Sequence, residues 1–138
     1  MGLIFIDSCL IIYAFEDHPR HGHQVRQALA RENPELLAIS PLVMLECLVG
    51  PLRAGSLALL NHYERGLRQF ETLSMPDEIY LHAARLRARF GLKTPDALHL
   101  ATATVHGCSA LWTADDRLQR AAGSLACNVL AGPAGAGP

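Results

Sequence analysis

Leu3-Ile4-Phe5-Ile6 is apolar at every position, where a strand with one wet face would alternate. A strand buried on both faces belongs in a parallel sheet covered by helices, because parallel neighbours need long crossover connections. Similar short runs recur at Leu36 to Ile39, Phe70 to Leu73, Ala110 to Trp112 and Cys127 to Leu130. The stretches between them have helical length and period. Helices are expected from Ser8 to about Glu16, Arg20 to Glu32, Ser40-Pro41 to Gly50-Pro51 and Ala54 to Arg68. Others are expected from Met75-Pro76 to Phe90, from Thr94-Pro95-Asp96 to His106-Gly107, and briefly from Asp115. Ile79, Ala83, Leu86 and Phe90 repeat at helical spacing and form a buried stripe. Strands alternating with helices predict an α/β fold, a three-layer α/β/α sandwich around a central five-stranded parallel sheet.

A chain of 138 residues supports one such core. Residues 1–130 are expected to form the domain. The segment from Ala131 is Gly- and Pro-rich and reads as a flexible tail, 131–138. No apolar run is long enough to span a bilayer, so no membrane association is expected. Met1 to Asp7 carries no basic segment, and Asp7 interrupts its apolar stretch, so a secretory signal is not expected. Cys9, Cys47, Cys108 and Cys127 are scattered through apolar surroundings and read as buried free thiols of a cytoplasmic protein. The apolar pairs Ile11-Ile12 and Leu48-Val49 read as core rather than as dimer surface.

Ligands of an open parallel sheet bind beyond the carboxyl ends of its strands. Asp7 directly follows the first run, and Asp115 follows Ala110 to Trp112 after a two-residue turn. Both therefore project at the same sheet edge. Asp96 lies in the first turn of its helix. Taken singly, each of the three has an ordinary explanation as a helix cap or a dipole-complementing acid. Glu46 does not. It is the sole charged residue between Leu36 and Leu52, and no Lys or Arg lies three or four positions away. A buried carboxylate there needs a distant Arg or a metal ion. Four acids in one cleft are tolerable when they hold divalent cations. Oxygen ligands without His or Cys favour Mg²⁺ or Mn²⁺, and such centres serve phosphoryl chemistry.

Leu3 to Ser8, Ser40 to Glu46, Thr94 to Ala103 and Leu111 to Leu118 resemble the four motifs of PIN-domain proteins. Thr94-Pro95-Asp96-Ala97-Leu98-His99-Leu100-Ala101-Thr102-Ala103 is the most specific of them. The resemblance covers nearly the whole chain, and compact members of this size are mostly VapC-like toxins. It implies strand order 3-2-1-4-5 and a metal-dependent endoribonuclease with Mg²⁺ or Mn²⁺ as cofactor. It also implies inhibition by a VapB-like antitoxin, often with the toxin as a homodimer. Position by position, Asp7, Glu46, Asp96 and Asp115 match the acidic quartet, with Asp7 and Asp96 as direct metal ligands. The fourth motif commonly reads Thr-Asn-Asp; here Ala114 stands in the Asn place, and Asp116 is the neighbouring alternative to Asp115. Ser8 and Thr113 offer supporting hydroxyls. His99 recurs in the family motif and reads as a packed, hydrogen-bonded histidine.

The net charge of −1 looks unpromising for an RNA binder. With the four site acids discounted as neutralised, 12 basic residues face nine acidic ones. Arg85, Arg89 and Lys93 precede the third motif and Arg117 follows the fourth; these are candidate RNA phosphate contacts. No aromatic stacking surface is apparent. The alternative is a non-catalytic PIN-fold module that binds RNA or protein. Phosphatases with an aspartate after the first strand need a second aspartate two residues on, where this chain has Cys9.

Overall fold

The computed structural model describes residues 2–131. The chain enters at β1 (Ile4–Ile6), continues through α1 (Ser8–Phe15) and α2 (Gly22–Ala30), and reaches β2 (Leu37–Ile39). Then follow α3 (Pro41–Ala54), α4 (Leu57–Leu67), β3 (Glu71–Thr72), α5 (Asp77–Phe90) and α6 (Thr94–Val105). The last elements are β4 (Ala110–Trp112), α7 (Asp116–Ala122) and β5 (Ala126–Cys127). All pairings are parallel, and the strand order is β3-β2-β1-β4-β5, as the sequence motifs imply.

The burial of β1 explains the apolar run that defines it. Phe5 and Ile6 are fully enclosed, and Phe5 sits between Ala38 of β2 and Leu111 of β4. The helices α1 to α4 pack on one another, as do α5 to α7, and these two groups flank the sheet. From β1 the chain first moves out to β2 and β3, then crosses back to β4 and β5. The reversal falls between β1 and β4, which places a crevice at their carboxyl ends.

Several elements depart from the sequence expectation. α3 does not stop at Gly50-Pro51 but runs to Ala54. Pro51 forfeits only its own N–H bond, while its carbonyl accepts the Ser56 N–H at 3.1 Å. With Gly55 at φ +67°, donating to Leu52, this is a Schellman ending that terminates the helix one turn later. β5 is Ala126–Cys127 rather than Cys127 to Leu130. The Asn128 side chain accepts the Leu130 N–H at 3.0 Å and turns Val129–Ala131 into a 3₁₀ turn. β3 shrinks to two exposed residues at the sheet edge.

Three side chains expected inside are outside. Phe90 ends the α5 stripe 43% exposed, while Ile79 and Ala83 of the same stripe are buried. Val49 is exposed with Leu45 and Leu52, which share its face of α3 at helical spacing. Cys127 is exposed because β5 is an edge strand. All four cysteines are free thiols. Among the described residues no helix is long and apolar enough to cross a membrane. Of the expected tail, Ala131 closes the last 3₁₀ turn, and 132–138 lie outside the described residues.

Candidate metal centre

β1 delivers Asp7 to the crevice between β1 and β4, and the Asp7 N–H still pairs with the Trp112 carbonyl at 2.9 Å. Asp7 occupies the cap position of α1, yet its side chain makes no capping bond. Capping therefore does not explain it. Its carboxylate is 6% exposed by residue and accepts the Thr113 hydroxyl at 2.7 Å. The Cys9 thiol lies 3.5 Å from the same oxygen, Oδ2. Burial and the neighbouring Asp7 charge push this thiol up to about 12.

Thr113 is fully buried and joins two of the predicted acids. Its hydroxyl donates to Asp7 and accepts the Asp115 N–H at 3.1 Å. Asp115 itself caps α7, with Oδ1 accepting the Leu118 N–H at 2.8 Å. Its ordinary explanation thus holds for one oxygen. Asp116 is exposed in the first turn of the same helix.

Glu46 finds its counter-group in neither an arginine nor a lysine. His99 of α6 places Nε2 2.7 Å from Glu46 Oε1, and Ser8 Oγ donates to the same oxygen at 2.9 Å. The Ser8 oxygen is also 3.5 Å from Asp7 Oδ1, but one hydroxyl proton serves the shorter bond. Burial pushes the Glu46 carboxyl up, and the bond and charge of His99 together with Ser8 outweigh it, leaving the group below its usual value. For His99, burial opposes the charged form. The Glu46 bond and the charges of Asp7, Glu46 and Asp96 outweigh that and hold the imidazole above its usual value.

His99 was legible as a packed histidine, and it is 1% exposed. Its position as partner of both Glu46 and Asp7 was missed. The sequence places it three residues after Asp96 on one helix face, but no local spacing links it to Glu46 or Asp7, which come from other elements. Ligand atoms of Asp7, Glu46 and His99 all lie within 4.8 Å of one another. Asp96 and Asp115 stand outside this tight trio. Asp96 is nevertheless coupled to it: burial first, then the charges of Asp115, Asp7 and Glu46, raise its carboxyl above the usual value, with His99 acting the other way.

Among the described residues no Lys or Arg forms an ion pair with the four acids. The carboxylate oxygens and flanking hydroxyls suit Mg²⁺ or Mn²⁺. Asp7 fits best: it is buried, carries no cationic lysine or arginine partner and is not used as a cap. His99 is the departure from an all-oxygen set, and its Nε2 is already directed at Glu46.

The predicted phosphate contacts all lie at the surface. Arg85 and Arg89 are exposed on α5, Lys93 stands at the N-cap position of α6 and Arg117 is exposed in the first turn of α7. Arg87 instead closes the end of α5, its Nε donating to the Leu92 carbonyl at 3.0 Å.

A family model for the PIN domain matches residues 4–124. No curated protein matches the chain. A toxin–antitoxin complex from Klebsiella pneumoniae contains a similar chain, 24% identical with a TM-score of 0.77, covering 93% of this chain and 98% of that one. VapBC2 from Rickettsia felis, bound to a promoter DNA fragment, is 18% identical with a TM-score of 0.69, covering 86% and 92% respectively. Mycobacterium tuberculosis VapC20, described as a sarcin–ricin loop cleaving toxin, is 15% identical with a TM-score of 0.73, covering 86% and 94%. At these identities the likeness establishes a shared fold.

Proposed function

The chain belongs to the PIN-domain family, and on that premise we propose that it is a Mg²⁺- or Mn²⁺-dependent endoribonuclease, the toxin of a VapBC-type toxin–antitoxin pair. The observation that carries this reading is the state of Asp7. It is buried at the sheet's switch point, makes no cap, and stands beside Glu46 and His99 with no lysine or arginine to neutralise it. The similar structures include an RNA-cleaving toxin and toxin–antitoxin complexes, which supports RNA as substrate and a VapB-like antitoxin as partner.

Asp7 and Asp96 would hold the cation, with Glu46 and Asp115 completing its surroundings. A cation bound there would polarise the scissile phosphate and lower the pKa of the attacking water. Thr113 fixes the direction of the Asp7 carboxylate. Ser8 and His99 do the same for Glu46, leaving its second oxygen free of them. Hydrolysis breaks the bond from phosphorus to the 3′ oxygen and yields a 5′-phosphate and a 3′-hydroxyl. The exposed stripe of Leu45, Val49 and Leu52 on α3 supports a protein partner, consistent with a homodimer. The free thiols suit the cytoplasm.

RNA cleavage assayed with Mg²⁺ or Mn²⁺, with and without a chelator, tests the reading. Activity is expected only with the cation, and is expected to fall at least 100-fold in Asp7→Asn and Asp96→Asn. Retained cleavage in both variants would reject the metal mechanism.

One observation favours a second reading. Glu46 is already satisfied by His99 and Ser8, and Asp115 by its cap, so part of the quartet is stable without a cation. A non-catalytic binding module would have this property. RNA binding without turnover at any divalent-ion concentration would favour it.

A further inference from the structure

An open cleft of about 450 Å³ is lined by Phe90, Gly91, Leu92, Arg117, Arg120 and Ala121. Its walls come from two segments that lead directly into the site. Leu92 runs into Lys93, the cap of α6, whose third residue is Asp96. Arg117 is the second residue of α7, whose cap is Asp115. Along the chain, the cleft's walls therefore lead to the two acids that stand outside the tight trio.

Its lining combines an aromatic ring with two arginines. Arg117 and Arg120 are one turn apart on α7, so both guanidinium groups can serve one ligand. Neither forms an ion pair among the described residues. Phe90 breaks the buried stripe of its helix and stands 43% exposed, leaving apolar area in water that burial would have favoured. Arg89 lies over its ring, 5.0 Å from the centroid. Gly91 at φ +67° turns the chain away immediately after Phe90, and a Cβ there would meet nothing within 4 Å. The result is an exposed aromatic ring facing a volume bordered by two unpaired guanidinium groups.

We propose that this cleft is a subsite for one unstacked nucleotide of single-stranded RNA, its base on Phe90 and its phosphate on Arg117 and Arg120. Aromatic rings accept any base by its π-face, and arginine binds phosphate through paired N–H donors. Duplex RNA offers no free base face and would be excluded. The inference rests on the nuclease reading for its choice of RNA, and it adds which residues of this chain would hold one nucleotide.

The test is binding in the presence of a chelator, so that cleavage plays no part. The probe is a fluorescein-labelled single-stranded oligoribonucleotide, with a second version carrying 2-aminopurine. Phe90→Ala is expected to weaken binding about 5- to 150-fold, Phe90→Trp to restore it, and 2-aminopurine quenching to follow the same pattern. Arg117→Ala with Arg120→Ala is expected to reduce the slope of log affinity against log salt by about 1.4. The same sequence in a duplex is expected to bind more weakly. Unchanged affinity, quenching and salt slope in these variants would overturn the subsite, even if the protein cuts RNA. Binding with the expected dependence but no cleavage under Mg²⁺ or Mn²⁺ would uphold the subsite and overturn the nuclease.

Discussion

His99 Nε2 stands 2.7 Å from Glu46 Oε1, linking α6 to α3 across the crevice. The one charged residue in the apolar stretch from Leu36 to Leu52 is thus answered by a histidine 53 residues later in the chain. This bond joins two of the four sequence motifs, and Thr113 joins Asp7 to Asp115.

The pair predicts a pH optimum for the stability of the metal-free protein. Glu46 sits below its ordinary value of 4.5, so its stabilisation is present above that pH and is lost as the pH falls through the lower folded value. His99 sits above its ordinary value of 6.5, so its stabilisation is complete below that pH and is lost as the pH rises through the higher folded value. Thermal melts in chelator are expected to show the highest midpoint between pH 4.5 and 6.5. Glu46→Gln is expected to flatten the profile; an unchanged profile would show that the pair does not control it.

Asp96 has the opposite sign. Its raised carboxyl means that ionisation above the ordinary value of 3.8 costs stability in the folded state. Asp96→Asn is expected to stabilise the metal-free protein by about 0.5–1 kcal/mol, small because the group is part-exposed and solvent screens it. Chemical denaturation at neutral pH checks this. A destabilised variant would mean that the neighbouring acids do not burden Asp96.

Thr113→Val keeps the shape and removes one hydroxyl that serves both Asp7 and Asp115. Because Thr113 is fully buried, the loss is expected to cost about 1–3 kcal/mol in denaturant melts. Thr113→Ser is expected to recover much of that. Equal stability of the valine variant would remove Thr113 from the site's framework.

Thiol accessibility separates the four cysteines. Cys9 and Cys47 are pushed up to about 12, by burial first, and stay protonated at neutral pH. Cys108 is buried, and Cys127 is exposed. A thiol reagent is expected to modify Cys127 first in the native protein and all four after unfolding. Rapid native labelling of Cys47 would contradict the packing of α3.

The three central strands were legible because burial on both faces leaves no alternation to misread. The edges were not: β3 and β5 pair on one side only, and there local hydrogen bonding decides. Asn128 ended β5 through a side-chain bond that no apolar pattern announces. Pro51 looked like a helix end, but the Gly55 turn holds the true one. In the site, Asp7 and Glu46 were legible through their positions after a strand and inside an apolar helix. Their mutual geometry was not, because it depends on His99 and Ser8 reaching across from other elements. Phe90 also departs from its pattern: its stripe is periodic to the last turn of α5, yet its ring is 43% exposed with Arg89 over it.

The most direct measurement is Mn²⁺ binding to the intact protein, followed by its paramagnetic resonance signal and by calorimetry. Saturable binding is predicted for the wild type, accompanied by a rise in thermal midpoint, and at least tenfold weaker binding for Asp7→Asn. Failure of the wild type to bind, or equal binding by Asp7→Asn, would contradict a cation centre at the end of β1.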